Sequence, residues 1–175
     1  NNNLILAFEA SSNTFKDLKK NISLNNFNNI IPFNLAVLDK DNSFVYLNES
    51  KKDWESSILH DDFELINKSK IETAKIDTIL EKRNLEDKNV IIKIDIEGNE
   101  LEAIHGAIKC IEKYSPLIII EFSKYIFDKE LIIVKIKETI EIKLSKYHLP
   151  SRIEIFNDLP KTQSGKIMIG IFGRI

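Results

Sequence analysis

Residues 90–100 constrain the fold of this chain more than any other part of the sequence. The stretch opens with a largely apolar run, residues 90–94, that is rich in β-branched side chains. Three carboxylates follow the run: Asp95, Glu97 and Glu100. Such a run is typical of a buried strand in a parallel sheet. We therefore expect the strand to be a scaffold and the charged residues after it to form a site.

A turn and a helix are predicted directly after this strand. Gly98 and Asn99 break the apolar run, and apolar residues then recur at helical spacing: Leu101, Ile104, Ile108 and Ile111. The pattern indicates an α/β fold with a mostly parallel sheet and flanking helices. Ligands bind beyond the carboxyl ends of the strands in such sheets, so the carboxylates are expected at a binding site. His105, on or beside the apolar stripe, is expected to be packed or hydrogen-bonded.

Two other predicted strands also end in an acidic residue. Residues 4–9 form an apolar run that ends at Glu9, and residues 117–122 form another that contains Glu121. A parallel sheet would bring Glu9, Asp95 and Glu121 to the same edge. Carboxylates gathered there are suited to holding hydroxyl groups or a cationic group.

The remaining predicted elements complete one α/β unit. Helices are predicted over residues 15–24, 78–83 and 101–114, the first capped by Asn13 or Thr14. Strands are predicted at residues 30–38, 44–47 and 70–77. The turn at 39–42 predicts a hairpin that makes 44–47 an antiparallel partner of the strand before it. The polar stretch 48–70 is expected to be a long surface loop.

Composition excludes several classes of protein. The 175 residues suffice for one ordinary core, and a formal net charge of −2 offers no basic surface to a nucleic acid. No apolar run is long enough to cross a membrane. The single cysteine, Cys110, is expected to be a small buried residue and not a nucleophile. We therefore expect a cytoplasmic protein without nucleic-acid or membrane partners. No metal is expected, since His60 lacks partners at ligand spacing.

A series of short motifs extends over residues 7–121. They are Ala7-Phe8-Glu9-Ala10, the stretch 21–25, Asn34-Leu35-Ala36-Val37-Leu38-Asp39, Lys93-Ile94-Asp95-Ile96-Glu97-Gly98-Asn99-Glu100, Gly106-Ala107 and the stretch 116–121. Together they resemble the FkbM-type S-adenosylmethionine-dependent methyltransferases, and their order and spacing make the match more specific than any single motif. The resemblance implies a Rossmann-like methyltransferase fold.

The resemblance also implies a cofactor and its contacts. S-adenosylmethionine would donate a methyl group to a hydroxyl of a sugar or another small metabolite. Glu9 would bind the ribose hydroxyls of the cofactor, as acidic residues do in related nucleotide sites. Asn34 and Ala36 would flank its adenine, and Asp95 would also contact the cofactor.

Lys93, Asp95 and Glu97 would border the site of methyl transfer in such an enzyme. Asp95 or Glu97 would then remove the proton of the acceptor hydroxyl. A structural interpretation also stays open. In it, Lys93 forms an ion pair with Asp95 or Glu121 in an environment from which water is excluded. Glu97 and Glu100 would then be favourable charges at a helix N-terminus.

One feature of the family is missing from this chain. Such enzymes begin with a strand and a glycine-rich turn that approaches the cofactor, whereas the first glycine here is Gly98. A second interpretation is therefore an inactive methyltransferase remnant. A chain that begins at Asn1 is also expected to be part of a longer protein.

A different resemblance covers the C-terminal end. The stretches 144–156 and 159–167 look like the closing segment of AMP-forming acyl-CoA synthetases and adenylation domains. Lys166 would there stabilise charge on the forming acyl-adenylate. The predicted division is a truncated methyltransferase-like domain over 1–128 and a synthetase-like tail over 129–175. A third interpretation is thus an accessory module of an acyl-adenylate-forming synthetase.

Overall fold

A computed structural model describes residues 3–50, 65–83, 85, 88–96, 98–121 and 129–150. Seven strands occur within these ranges: β1 Ile5–Phe8, β2 Ile30–Phe33, β3 Ala36–Val37, β4 Phe44–Ser50, β5 Leu65–Ala74, β6 Ile91–Ile94 and β7 Leu117–Ile120. Five α-helices accompany them there: α1 Ser12–Leu24, α2 Ile76–Glu81, α3 Glu100–His105, α4 Ile108–Tyr114 and α5 Lys129–Lys143. The described strands form three small sheets, with the orders β1-β2, β3-β5-β4 and β6-β7.

Strand β1, helix α1 and strand β2 form a parallel β–α–β unit. The two strands pair along their full length, and the rings of Phe8 and Phe33 at their ends stack with centroids 5.0 Å apart. Helix α1 begins after Ser11, whose Oγ accepts a hydrogen bond from the Thr14 amide at 3.4 Å. The predicted cap at Asn13 or Thr14 is therefore wrong. Both residues lie inside the first turn, and the side chain of the residue before the turn satisfies one of its free amides.

The strand predicted over residues 30–38 is two strands in different sheets. β2 ends at Phe33 because the next side chain, Asn34, donates hydrogen bonds to the main-chain oxygens of Glu9 at 2.9 Å and Ala10 at 3.0 Å. These bonds hold the chain at the end of β1 instead of letting the strand continue. β3 begins at Ala36 and pairs in parallel with β5.

Strand β4 pairs with β5 and not with the strand before it, so the predicted hairpin is wrong. The turn is bound to β5 itself: Asn42 donates its amide to the Thr73 oxygen at 3.0 Å, and Thr73 Oγ1 donates to the Lys40 oxygen at 2.7 Å. These bonds leave β5 between β3 and β4, antiparallel to β4. The first residues of β5 fall in the stretch that was expected to be a loop.

Strand β6, helices α3 and α4 and strand β7 form a second parallel β–α–β unit. The single helix predicted over residues 101–114 is interrupted at Gly106. The backbone of Leu38 approaches this glycine so closely that a Cβ atom on Gly106 would lie 2.1 Å from the Leu38 oxygen. The helix divides here because Asp77 bonds the Gly106 oxygen through its amide and the Cys110 amide through its carboxylate, whereas a continuous helix would bond those two groups to each other.

A buried carboxylate stabilises the start of helix α4. Asp77, in helix α2, accepts the amide of Lys109 at 3.0 Å and the amide of Cys110 at 2.9 Å. Two otherwise unsatisfied N–H groups of the helix N-terminus are thereby bonded to a negative charge, the arrangement that the helix dipole favours. Asp77 is therefore a structural residue that joins α2 to α4.

The larger hydrophobic core lies between β6 and helices α3, α4 and α5. Its buried members are Ile92, Ile94, Ala103, Ile104, Ala107, Cys110, Ile111, Ile136 and Ile140. Burial of each isoleucine contributes roughly 1.5–3 kcal/mol. Because Ile136 and Ile140 belong to α5, residues beyond position 128 pack on the same core. The boundary predicted between 128 and 129 stays a prediction.

The predicted α/β class is confirmed, with parallel pairs β1-β2, β3-β5 and β6-β7 and the antiparallel pair β4-β5. The strand predicted before Asp95 is present as β6. The strands predicted to end at Glu9 and Glu121 are present as β1 and β7. None of the helices in the described ranges is long and apolar enough to cross a membrane.

Candidate functional site

The carboxyl ends of β6 and β7 bring three charged side chains together. Lys93 Nζ lies 2.8 Å from a carboxylate oxygen of Asp95 and 3.6 Å from one of Glu121. The Glu121 amide donates to the Ile94 oxygen at 2.9 Å, so Glu121 extends the pairing of the two strands by one residue. Two of the three carboxylates predicted at one sheet edge are therefore neighbours that share Lys93 as a counter-ion.

This cluster is open to solvent. The side chains of Lys93, Asp95 and Glu121 are 34%, 43% and 38% exposed. The ion pair expected under the structural interpretation exists, but its predicted dry surroundings are wrong. Exposed ion pairs contribute about 0–1 kcal/mol to stability, so the cluster adds little to the stability of the fold. With two carboxylates and one ammonium group, the cluster retains one negative charge.

The turn that follows β6 contains a buried glutamate. Gly98 has a φ of 114°, a backbone conformation that favours glycine. Glu100, only 1% exposed, accepts the Gly98 amide on Oε1 at 2.9 Å. Glu100, the first residue of α3, thus bonds back to the amide of Gly98 in the turn that precedes the helix. Glu100 lies in the first turn of α3, where a negative charge would be favourable, and that alternative role stays a prediction.

Glu9 lies directly after β1 and is half-buried. Its Oε1 accepts the Ser11 amide at 2.8 Å. Burial raises the pKa of Glu9 above its ordinary value of 4.5, against the opposing effect of hydrogen bonds from the Ser11 and Ala10 amides. A carboxylate has about four acceptor positions, so these bonds leave capacity for two ligand hydroxyl groups.

The two residues predicted beside the adenine have structural contacts. Both donors of the Asn34 amide bond main-chain oxygens at the end of β1, and its Oδ1 accepts the Ser12 hydroxyl at 3.0 Å. Ala36 is 4% exposed and belongs to the small core of the β3-β5-β4 sheet. The adenine contacts of Asn34 and Ala36 stay predictions.

Glu9 belongs to a different sheet from the other two acidic strand ends. In the described part of the chain, β1 hydrogen-bonds to β2 while β6 hydrogen-bonds to β7. The sequence predicted that all three carboxylates lie at one edge of a single sheet. This is observed for Asp95 and Glu121. For Glu9 it stays a prediction.

Three residues considered from the sequence lie outside the described residues: Glu97, His60 and Lys166. Glu97 was predicted as a candidate base and Lys166 as a charge-stabilising residue of the synthetase-like tail. Among the described residues, no group of three or more histidine, cysteine, aspartate or glutamate side chains is arranged to hold a metal ion.

Cys110 and His105 have structural surroundings, as predicted. Cys110 is 2% exposed, and burial together with the charge of Asp77 raises the pKa of its thiol to about 11. The thiol is therefore protonated at neutral pH and is a poor nucleophile. His105 Nε2 lies 3.0 Å from Thr139 Oγ1, a contact that joins α3 to α5.

Asn99, in the same turn, was expected from the sequence to break the apolar run and was not proposed as a site residue. Its side-chain Nδ2 is buried and has no hydrogen-bond partner among the described residues. The only sequence signal was its position between Gly98 and Glu100, directly after the acid-ended strand. A polar residue in such a turn is indistinguishable in sequence from an ordinary turn former.

The burial of Glu9 predicts a pH-dependent stability. A folded-state pKa above the unfolded value means that protonation of Glu9 favours folding. This contribution is complete below about 4.5 and is lost as the pH rises through the raised pKa. The variant Glu9→Gln cannot ionise, so we expect it to be more stable than the parent at pH 7, with the difference vanishing near pH 4. Urea denaturation at each pH measures it.

The control for this prediction is Glu112→Gln, which removes one negative charge from an exposed position. It corrects for the general effect of net charge on stability. A difference between Glu9→Gln and the parent that stays constant from pH 4 to pH 7 would contradict the predicted linkage.

One of three comparisons with known proteins finds a match. The family model described as the methyltransferase FkbM domain matches residues 1–150. No curated protein and no solved structure matches the chain. The match includes the ends of β1, β6 and β7 and all of α5. It ends at residue 150, inside the predicted synthetase-like tail and before Lys166.

Proposed function

Because the chain belongs to the family of methyltransferase FkbM domains, we propose that it transfers the methyl group of S-adenosylmethionine to a hydroxyl of a sugar or another small metabolite. The family supports a methyltransferase in general. The proposal adds a hydroxyl acceptor, S-adenosylmethionine as the cofactor and a cytoplasmic location. The location is proposed because the chain has a single cysteine.

The observation that carries the proposal is the exposed cluster of Lys93, Asp95 and Glu121 at the carboxyl ends of β6 and β7. This is the edge at which ligands of α/β sheets bind. The cluster is accessible, holds a net negative charge and contributes little to stability. These properties fit a site that receives a proton from a hydroxyl group.

Asp95 is the proposed proton acceptor. Its Oδ2 is held by Lys93 at 2.8 Å, which fixes the carboxylate at the end of the strand. When bound, S-adenosylmethionine supplies an electrophilic methyl carbon on a sulfonium. The acceptor oxygen must lie in line behind that carbon, and a carboxylate that hydrogen-bonds the hydroxyl both orients it and takes its proton. Glu97 is the second candidate for this role.

Glu9 is the proposed ligand of the cofactor ribose. It lies at the carboxyl end of a parallel strand, beside the first turn of α1, with its carboxylate oriented by the Ser11 amide. Acidic residues at this position of related nucleotide sites accept two hydroxyl hydrogen bonds. A Rossmann-like arrangement, in which both β–α–β units contribute to one cleft, belongs to the same proposal and would place Glu9 opposite Asp95.

The test is a methyl-transfer assay with S-adenosylmethionine labelled in its methyl group. Sugars and small alcohols serve as acceptors, and the matching amines and carboxylic acids serve as controls. Labelled methyl ethers formed together with S-adenosylhomocysteine are the expected products. Label found only on amines or carboxylates would contradict the hydroxyl acceptor, and release of S-adenosylhomocysteine with no acceptor specificity would contradict an ordered site.

A further inference from the structure

The side chain of Asn99 has an unusual environment for a polar group. The residue is 5% exposed, and its Nδ2 atom is buried without a hydrogen-bond partner among the described residues. The great majority of buried polar atoms in folded proteins are hydrogen-bonded, so each exception requires a physical reason. A buried donor without an acceptor lowers the stability of the fold.

Helix capping does not supply that reason. Asn99 stands directly before α3, where an asparagine usually accepts an amide hydrogen bond from the first turn. Its side chain makes no such bond here. The nearby backbone groups are satisfied in other ways, since the Asn99 oxygen accepts the Ala103 amide at 3.0 Å and Glu100 accepts the Gly98 amide.

The position of Asn99 suggests a ligand as the missing acceptor. It lies in the turn that links β6 to α3, four residues after Asp95 and beside the positive-φ glycine. This turn borders the sheet edge where Lys93, Asp95 and Glu121 meet. Functional sites commonly retain polar groups whose partners arrive only with the ligand, at a cost to the stability of the free protein.

We propose that the Asn99 side-chain amide donates a hydrogen bond to an oxygen acceptor of a ligand bound at the carboxyl end of β6. The inference rests on the proposed methyltransferase function. The acceptor is either the carboxylate of the amino-acid part of the cofactor or an oxygen of the methyl acceptor. In both cases the amide contributes affinity and orientation and takes no part in the bond changes.

Two substitutions of Asn99 separate this role from a structural one. Asn99→Leu keeps the branching of the side chain and removes the donor, but it adds volume at a buried position, so its unfolding temperature reports overpacking as well as the lost donor and the binding measurements decide. Asn99→Asp replaces the donor by a charged acceptor. The control is Thr73→Val, which removes a buried hydroxyl that does have a partner, the Lys40 oxygen at 2.7 Å. It should unfold at a lower temperature and bind ligands as the parent does.

The two possible acceptors are distinguished by calorimetric titration and kinetics. If the acceptor is the cofactor carboxylate, Asn99→Leu weakens S-adenosylhomocysteine binding about tenfold or more and Asn99→Asp weakens it further. Binding of methylthioadenosine, which lacks that carboxylate, is unchanged. If the acceptor belongs to the substrate, both nucleosides bind as before and KM for the substrate rises about tenfold.

Other results would overturn the inference in recognisable ways. Unchanged titrations together with an unchanged KM would show that no ligand uses it. A parent protein that neither binds S-adenosylhomocysteine nor transfers a methyl group would overturn the proposed function itself, and this inference with it.

Discussion

Replacement of Asp95 by asparagine is expected to lower kcat for methyl transfer by about a hundredfold to ten-thousandfold, the range typical of a lost general base. Asparagine keeps the size of the side chain and can still accept a hydrogen bond from Lys93. It cannot accept the proton of the acceptor hydroxyl. KM should change much less than kcat, because binding of the substrate does not depend on proton transfer.

The matched control is Glu81→Gln, which alters another exposed ion pair with a lysine, Lys109, at 2.6 Å. Both variants remove one negative charge and one exposed ion pair, and both should change the free energy of unfolding by less than about 1 kcal/mol. Only Asp95→Asn should reduce turnover. Activity of Asp95→Asn within a few-fold of the parent would contradict its role as the base, and a large loss confined to Glu97→Gln would assign that role to Glu97.

Substitution of Gly106 by alanine is expected to lower the free energy of unfolding by about 3 kcal/mol or more. The added Cβ would lie 2.1 Å from the main-chain oxygen of Leu38, a distance that no Cβ atom tolerates. The obstacle is backbone, so relief requires a shift of β3 or of α3. Overpacking of this kind typically costs about 1–3 kcal/mol even where side chains can adjust. Urea denaturation of the two proteins measures the loss.

The sign of the change in the free energy of unfolding shows whether the Leu38 backbone is fixed or can move aside. The φ of Gly106 is −77°, which alanine adopts without strain. If Leu38 were able to move aside, the substitution would therefore stabilise the protein by about 0.4–1 kcal/mol, since alanine has fewer unfolded conformations. A more stable Gly106→Ala protein would contradict the close packing of α3 on the end of β3.

Apolar periodicity predicted most individual elements of this fold. Strands β1, β6 and β7 are apolar runs with clear ends, and each lies where it was predicted. The errors occurred where a single contact between distant residues overrode a local pattern. Asn34 ends β2 because it bonds the end of β1, and the helix divides at Gly106 because Asp77 bonds the Gly106 oxygen and the Cys110 amide. Neither contact has a signature in the local sequence.

Strand pairing was less predictable than strand position. The turn at 39–42 has the composition of a hairpin, yet its hydrogen bonds go to Thr73, far away in the sequence. The pairing of β4 with β5 depends on that long-range contact, which competes with the local turn. Tertiary contacts commonly override turn composition in this way.

The sequence predicted which strand ends carry the residues of the candidate site. Asp95 and Glu121 follow apolar runs, and their shared contact with Lys93 follows from parallel pairing. The buried Asp77 and the unpartnered amide of Asn99 were not predictable, because burial and hydrogen-bond satisfaction depend on the whole fold. Both residues resemble ordinary polar residues in the sequence.

Calorimetric titration of the protein with S-adenosylhomocysteine, repeated with Glu9→Ala, tests most directly whether acidic strand ends form the site of a methyltransferase. The proposed function predicts binding at one site per chain and an affinity at least about tenfold lower in Glu9→Ala, because two charge-assisted hydrogen bonds to ribose are lost. No heat of binding with the parent, or equal affinities for parent and variant, would contradict it.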